Sequence, residues 1–175
     1  MEAGAHHVTH LYNAMPPFTH RKPGVIGAAA ENEETRVELI CDGIHIHPCV
    51  VKSTFKLFGA ERMVLVSDSM MATGMEDGEY ALGGQPVTVK GNRALLKDGT
   101  IAGSATNLYD CMRTAIRMGV PREAAVRAAT HNPAQAVGLS EECGVLCPGR
   151  RADILIADGD FSLLEVMKSG RTVKE

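Results

Sequence analysis

The chain has 175 residues, and its 18 Lys plus Arg residues against 21 Asp plus Glu residues give a formal net charge of −3. Because the basic residues are scattered among acidic ones, the composition argues against a nucleic-acid partner. Hydrophobic residues make up 45% of the chain, yet no stretch approaches the roughly 20 consecutive apolar residues of a membrane span. We therefore expect a globular, cytoplasmic protein with no nucleic-acid or membrane partner.

The first 66 residues alternate between short apolar runs and helical patterns. Strands are predicted at 6–11, 37–41 and 63–66, a small-residue helix or turn at 25–30, and a helix that opens at Pro48 and closes at Gly59. Polar residues follow each strand, where His or Asp replaces the apolar pattern. This order is typical of parallel strands joined by helical crossovers.

The remaining residues predict three further kinds of element. Paired turn residues across about 79–102 indicate antiparallel hairpins. The later elements are helices at 108–118 and 121–130, a helical turn from Pro133 to Gly138, and strands at 152–157 and 163–173 of a separate small sheet. Thr106 or Asn107 is expected to cap the first of these helices.

Repeated strand and helix pairs predict an α/β fold with a parallel sheet or barrel whose site lies at the carboxyl ends of the strands. Three strands cannot close a barrel, and a complete eight-stranded barrel takes about 250 residues. The chain is therefore expected to contain only the last part of such a barrel.

Five cysteines are distributed through the chain, an odd number that argues against a secreted disulfide framework. We expect them to be reduced and buried. They are Cys41, Cys49, Cys111, Cys143 and Cys147.

The candidate catalytic and metal-binding residues lie where the apolar strands end. His10 follows the first strand, His45 and His47 follow the second, and Asp68 follows the third. Imidazole and carboxylate groups together are typical of metal hydrolases, in which a metal activates water and a carboxylate accepts its proton. Other interpretations remain open, because His10 could be a hydrogen-bonded core residue, His47 a helix cap and Asp68 a turn residue.

The other histidines are expected to have no catalytic part. His6 and His7 are interpreted as structural, His20 as solvated and His131 as a helix-boundary residue.

Two segments have the composition of an anion or carbonyl site. The loop after the first strand contains Asn13, Arg21 and Lys22 among prolines, which is suited to charge-assisted bonds to an anion. The segment 102–107 places small residues before a helix, where free backbone amides can bind an anion or a carbonyl. A solvated loop and an ordinary helix cap explain these patterns as well.

Several motifs carry a family resemblance. THLYNAM, RKPG, DGIHIHP, VSDS with ATGMEDGEYALGG, and IAGSATN follow in the order found in the N-acetylglucosamine-6-phosphate deacetylase family of the amidohydrolase superfamily. The tail, THNPAQAVGL followed by GVLCPGRRADILIAD, resembles the closing signature of that superfamily. The resemblance implies the last three strands of a (β/α)₈ metal-dependent hydrolase barrel, in residues 1–147 with a hairpin insertion at about 79–102. Residues 148–175 would supply strands of a small β-sandwich domain.

The resemblance also implies the activity, which is hydrolysis of the N-acetyl group of N-acetyl-D-glucosamine 6-phosphate to D-glucosamine 6-phosphate and acetate in amino-sugar catabolism. By motif match, His10 is a metal ligand, and Asp68 is the general base that later protonates the leaving amine. His45 contacts the substrate, and Arg21 grips the phosphate within its own subunit or across a homodimer interface. The other expected substrate-binding residues are Asn13, Ala14, Asp42, Gly43, Ile44, Ala102, Gly103 and Ser104.

The family has a metal-binding Glu and a second metal-binding His, in a Gly-His-Ser motif, that match no position here. The divalent ion, zinc or iron, is therefore expected to take its remaining ligands from residues upstream, and this chain is expected to be a fragment with little activity alone. Two alternatives remain, namely a noncatalytic sugar-phosphate-binding or assembly module and another amidohydrolase.

Overall fold

The computed structural model describes residues 4–174, except for the side chain of residue 174. The chain divides into two compact units at the boundary between Ala129 and Thr130. The predicted boundary at 147/148 is a different one, between the barrel segment and the β-sandwich segment, and it stays a prediction. The first unit contains β1 (His7–Val8), α1 (Gly24–Glu31), β2 (Arg36–Ile40), α2 (Pro48–Phe58), β3 (Met63–Val66), β4 (Gly78–Leu82), β5 (Gln85–Lys90), β6 (Arg93–Leu95), β7 (Ile101–Ser104), α3 (Leu108–Arg117) and α4 (Arg122–Ala129). The second contains α5 (His131–Ala136), β8 (Ile154–Ala157), β9 (Leu163–Lys168) and β10 (Arg171–Lys174).

A three-stranded parallel sheet in the order β1-β2-β3 organises the first unit. In its central strand Val37, Leu39 and Ile40 are all 0% exposed, so each face carries buried apolar side chains, as expected where crossover helices cover a parallel sheet. Val37 pairs with Met63, so β2 and β3 run in register toward the same edge. The predicted strand, helix, strand order is confirmed.

The crossover helix α2 has the predicted ends. Pro48 lies in its first turn, and the Nδ1 atom of His47 accepts the backbone N–H of Cys49 at 3.2 Å. Gly59, with φ of 73°, follows its last residue. His47 is therefore the N-cap of α2, the alternative that its position before Pro48 left open.

The first strand is much shorter than predicted. It contains only His7 and Val8, because the backbone beyond it turns into the left-handed region at His10 (φ 29°), Tyr12 (φ 77°) and Ala14 (φ 52°). Side chains other than glycine rarely adopt this conformation. The predicted span 6–11 was wrong at its carboxyl end, since apolar pattern does not reveal such a change of backbone direction.

A four-stranded antiparallel sheet, β4-β5-β6-β7, is inserted between β3 and α3, which confirms the predicted hairpins. Its turn at Gly83 and Gly84 has φ of 57° and 81°, as a tight hairpin turn requires. The sheet has a core of its own, made by Met70, Ala72, Val87, Val89, Ala94 and Ala102.

Two later elements differ from the prediction. Helix α5 begins at His131 and not at Pro133, because proline fits the first turn of a helix, where its missing N–H has no partner to lose. The single strand predicted at 163–173 is two antiparallel strands, β9 and β10, separated by Ser169 (φ 50°) and Gly170 (φ 76°).

The five cysteines are all free thiols, with Cys41 and Cys111 buried and Cys143 half-buried. The expectation that all five are buried was wrong for Cys49 and Cys147, which are exposed. None of the helices formed by residues 4–174 combines the length and apolarity needed to cross a membrane.

Candidate active site

The parallel sheet brings three polar segments to one edge. The carboxyl ends of neighbouring parallel strands meet at the same side of a sheet. His10 follows β1, Asp42 follows β2 and Asp68 follows β3. The predicted chemistry-bearing residues therefore share the edge at which barrel enzymes place their sites.

Asp42 and His45 form a close pair in the turn after β2. The Asp42 Oδ2 atom lies 2.6 Å from His45 Nδ1, while Oδ1 accepts the backbone N–H groups of Ile44 at 2.9 Å and His45 at 3.0 Å. The two side chains are 0% and 7% exposed, respectively. One carboxylate therefore fixes both the turn and the imidazole.

Opposing effects act on the ionisation of Asp42. Burial raises the pKa of this carboxyl, but the hydrogen bonds from the His45 ring and from the His45 and Ile44 N–H groups lower it by more, and the resulting pKa lies below the usual value. Asp42 is therefore ionised at neutral pH.

Gly43 lies in this turn, next to the carboxyl-terminal half of α3. Its φ is 85°, and a Cβ at this position would lie 3.6 Å from Thr114 Cγ2 and 3.9 Å from Met118 Cε. The space is sufficient, so the positive φ is what favours glycine here. Asn92, at the turn between β5 and β6, donates from Nδ2 to the Asp42 carbonyl oxygen at 3.4 Å. The inserted sheet thus reaches the same turn.

Asp68 lies between β3 and the inserted sheet. It is exposed, its φ is 50°, and its carbonyl oxygen accepts the Ser104 N–H at 3.0 Å. Within the described part of the chain, its carboxylate makes no hydrogen bond or ion pair. A Cβ on Gly103 would lie 3.5 Å from the Asp68 carbonyl oxygen, so β7 passes directly beside this residue.

The three predicted pocket residues on β7 differ in their surroundings. Ala102 is buried in the core of the inserted sheet. Ser104 is 0% exposed, and its hydroxyl oxygen accepts the Thr106 N–H at 2.9 Å. The hydroxyl and N–H groups of Ser104 thus both form hydrogen bonds within the protein. Of the three residues, only Gly103 is half-buried and not fully buried.

His10 has an unused polar atom. Its Nδ1 is buried without a hydrogen-bond partner, which is costly unless a ligand fills the position. Asn13 holds the backbone behind it, because the Asn13 Nδ2 group donates to the carbonyl oxygens of His10 and Leu11, each at 3.3 Å. Ala14 follows as an exposed residue with φ of 52°.

Glu38 supports this segment from β2 and was missed by the sequence analysis. Its carboxylate accepts hydrogen bonds from Thr9 Oγ1 at 2.6 Å, His7 Nε2 at 2.9 Å and the His10 N–H at 3.4 Å. Burial raises the pKa of Glu38, but these bonds together lower it below the usual value. The hydrophobic pattern does not show this contact, because only the pairing of β1 with β2, in which Val8 lies opposite Val37, brings Glu38 close to the residues around Thr9.

Arg21 belongs to the loop between β1 and α1. It is exposed at the tip of a turn closed by reciprocal backbone hydrogen bonds between Thr19 and Lys22, each 3.2 Å long. Its guanidinium has no partner among the described residues, in keeping with either a solvated loop or an anion contact.

The divalent metal implied by the sequence fits these residues only in part. The orphaned His10 Nδ1 suits one ligand position. No group of three or more His, Cys, Asp or Glu side chains between residues 4 and 174 is arranged to hold an ion, and a catalytic zinc site needs about three protein ligands. The described residues therefore offer a ligand but not a complete metal site.

Comparison with known proteins shows the family to which this chain is similar. The sequence profile of the amidohydrolase family matches residues 2–173. An N-acetylglucosamine-6-phosphate deacetylase of Bacillus subtilis (strain 168) is 42% identical over 93% of this chain and 41% of its own length. A relative from Escherichia coli (strain K12), provisionally named an N-acetylgalactosamine-6-phosphate deacetylase, is 34% identical over 93% of this chain and 97% of its own length.

The fold is shared with solved structures. A Mycobacterium smegmatis N-acetyl-D-glucosamine-6-phosphate deacetylase, solved as an aspartate-to-alanine mutant with N-acetyl-D-glucosamine-6-phosphate, matches with a TM-score of 0.92 and 39% identity. The match covers 98% of this chain and 46% of that one. This chain thus spans less than half the length of the Bacillus and Mycobacterium proteins, and the predicted fold class, part of a TIM-type hydrolase barrel, is confirmed.

Proposed function

Because this chain belongs to the amidohydrolase family, we propose that it is the part of a deacetylase that carries the catalytic carboxylate. The complete enzyme hydrolyses the N-acetyl group of N-acetyl-D-glucosamine 6-phosphate to D-glucosamine 6-phosphate and acetate. The observation that carries the proposal is the placement of His10, His45 and Asp68 after three adjacent parallel strands. The names of the Bacillus and Mycobacterium relatives support the substrate.

In the proposed reaction, Asp68 acts first as a base and then as an acid. Its carboxylate accepts a proton from the attacking water as the new bond from oxygen to the acetyl carbon forms. The bond from that carbon to nitrogen then breaks, and Asp68 returns the proton to the leaving amine. An exposed carboxylate that makes no hydrogen bond to the described residues is suited to both transfers.

The metal is proposed as zinc or iron, with His10 as one ligand and the others supplied from outside the described residues. When bound, it would supply Lewis-acid activation of water. The described residues do not complete the metal site, so the proposed reaction steps involve the protein groups alone.

Substrate binding is proposed to involve the turn after β2 and the loop after β1. His45 contacts the sugar from the turn shaped by Asp42, Gly43 and Ile44. Arg21 binds the phosphate by charge-assisted hydrogen bonds. Asn13, Ala14, Ala102, Gly103 and Ser104 complete the pocket.

A second substrate follows from one comparison. The Escherichia coli relative that this chain covers almost completely has a name that refers to the galactosamine epimer, which differs in the configuration of one ring hydroxyl. N-acetyl-D-galactosamine 6-phosphate is therefore the second candidate. We also propose a homodimer, and a cytoplasmic location in keeping with five free thiols.

A chimera tests the proposal directly. Residues of this chain replace the matching segment of the Bacillus subtilis relative, and acetate release is measured from both epimers, with the unmodified relative as the positive control. We expect metal-dependent deacetylation of N-acetyl-D-glucosamine 6-phosphate. A folded, metal-loaded chimera that hydrolyses neither epimer would contradict the proposed function.

The isolated chain provides a second measurement. We expect substoichiometric metal by elemental analysis and little turnover, because no group of three or more ligand side chains lies together among residues 4–174. Metal-dependent turnover by the isolated chain would show that ligands other than those proposed complete the site.

A further inference from the structure

We propose that Asp42 is a positioning residue for His45, holding the imidazole by Nδ1 so that Nε2 is the nitrogen presented to the substrate. The inference deepens the proposed function and rests on it, because it takes His45 as the substrate contact. It goes further by assigning the tautomer of His45 and the group that fixes it.

The division of contacts on the Asp42 carboxylate supports this assignment. Oδ1 is occupied by two backbone N–H groups, at 2.9 and 3.0 Å, so it cannot turn toward the ring without losing them. Oδ2 is left for His45 Nδ1, at 2.6 Å. The carboxylate is therefore held in one orientation by the turn that it closes.

The chemistry of the two groups then determines which ring nitrogen of His45 carries the proton. An ionised carboxylate only accepts hydrogen bonds, so the Nδ1 atom opposite it has to be the donor. In neutral His45 this leaves the lone pair on Nε2, which makes no hydrogen bond to any described residue. Histidines that act on ligands are commonly oriented in this way through their second nitrogen.

Burial strengthens the constraint. The side chains of Asp42 and His45 are 0% and 7% exposed, respectively, so water cannot readily replace either partner, and a buried hydrogen bond is stronger than one in water. An amide at position 42 could keep its oxygen toward the backbone N–H groups, but it would then donate to Nδ1. The Asp42→Asn substitution should therefore move the ring proton from Nδ1 to Nε2 without removing the turn.

The test is long-range ¹H–¹⁵N NMR of the chain labelled with ¹⁵N-histidine, at a pH where His45 is neutral. The His45→Gln variant assigns the His45 signals among the seven histidines. We expect the Nδ1–H tautomer in the wild-type chain and the Nε2–H tautomer in Asp42→Asn. Asp77→Asn is the matched control, because Asp77 also accepts a backbone N–H, that of Gly91 at 2.7 Å, but does not contact His45.

Each outcome is decisive. An Nε2–H tautomer in the wild-type chain overturns the proposal, and this measurement stands even if Asp42→Asn does not fold. An unchanged His45 tautomer in a folded Asp42→Asn chain also overturns it.

A kinetic measurement separates this inference from the proposed function. In the chimera, Asp42→Asn should raise KM by about tenfold with a smaller change in kcat, the size of effect expected when one oriented hydrogen bond to the bound sugar is lost. An unchanged KM would overturn the inference while leaving deacetylation intact. The NMR experiment needs no substrate, so failure of the proposed function would not disturb the tautomer result.

Discussion

The backbone N–H of Ser104 donates a hydrogen bond to the carbonyl oxygen of Asp68, with 3.0 Å between the two atoms. This bond joins β7 of the inserted sheet to the residue that follows the third parallel strand. It helps to hold Asp68 in the left-handed region, at φ of 50°, while its carboxylate remains exposed and makes no hydrogen bond to a described residue. The backbone is thus fixed where the side chain is free to exchange protons.

Replacing Asp68 by Asn should abolish most of the turnover of the chimera. An amide cannot accept the proton of the attacking water, and loss of a general base lowers kcat by about a thousandfold. The KM should change little, and the free energy of unfolding should stay within about 0.5 kcal/mol because the side chain is exposed. The control is Asp160→Asn, an exposed substitution between β8 and β9, and normal turnover in Asp68→Asn would disprove the assigned role.

The sequence predicted the sheet better than its connections. The strand at Met63–Val66 has the predicted bounds, because four consecutive apolar residues between polar turns have few alternatives. The first strand was overestimated, because the left-handed backbone at His10 leaves no mark in the hydrophobic pattern. Local composition specifies burial but not every change of chain direction.

The site was predictable where its contacts are local. Asp42 and His45 are three residues apart, and the motif DGIH predicts a turn there. Glu38 escaped notice because its partners lie in β1 and directly after it, 28–31 residues away. A charged residue within a predicted buried strand was the available signal, and it indicated a partner without identifying it.

Replacing Arg21 by Ala in the chimera should raise the KM for the phosphorylated substrate by about tenfold or more, since a charge-assisted hydrogen bond contributes about 1.5–3 kcal/mol. The kcat should change little, because Arg21 is distant from the amide in the proposed binding mode. Hydrolysis of unphosphorylated N-acetylglucosamine should be unaffected. Lys56→Ala removes an exposed positive charge from α2 and serves as the control, and an unchanged KM in Arg21→Ala would rule out the phosphate contact.

Mixed dimers distinguish whether Arg21 acts within its own subunit or across the interface. A dimer of one Arg21→Ala subunit and one Asp68→Asn subunit contains one intact site only if Arg21 reaches the partner's site. Recovery of normal KM at half the wild-type kcat would support the interface arrangement. Its absence in a verified heterodimer would assign Arg21 to its own subunit.

The Glu38 carboxylate should make stability depend on pH in the acid range. Its pKa is lower in the folded chain than the usual value of about 4.5, so on acidification the unfolded chain binds the proton first. The stabilisation is therefore complete above about pH 4.5 and is lost as pH falls through the folded-state pKa. Asp42, whose pKa is also lowered, contributes in the same direction.

Glu38→Gln should therefore be less stable than the wild-type chain at pH 7, and the difference should narrow toward pH 3. Urea unfolding at pH 7, 5, 4 and 3 measures this change. Glu33→Gln, at an exposed position, controls for the loss of one negative charge. A stability difference that stays constant across this range would show that the Glu38 hydrogen bonds do not depend on its ionisation.

Replacing Leu39 by Ala should be the most damaging of these changes to the parallel sheet. Leu39 is 0% exposed on the central strand, and truncating a fully buried leucine costs about 2–5 kcal/mol through lost burial and the cavity that remains. The matched control is Leu57→Ala, because Leu57 is 46% exposed on α2 and alanine favours a helix. Urea unfolding of the isolated chain, followed by circular dichroism, compares the two variants. A loss below about 1 kcal/mol in Leu39→Ala would mean that the isolated sheet is not packed as described, since only a loosely packed core accommodates such a truncation at small cost.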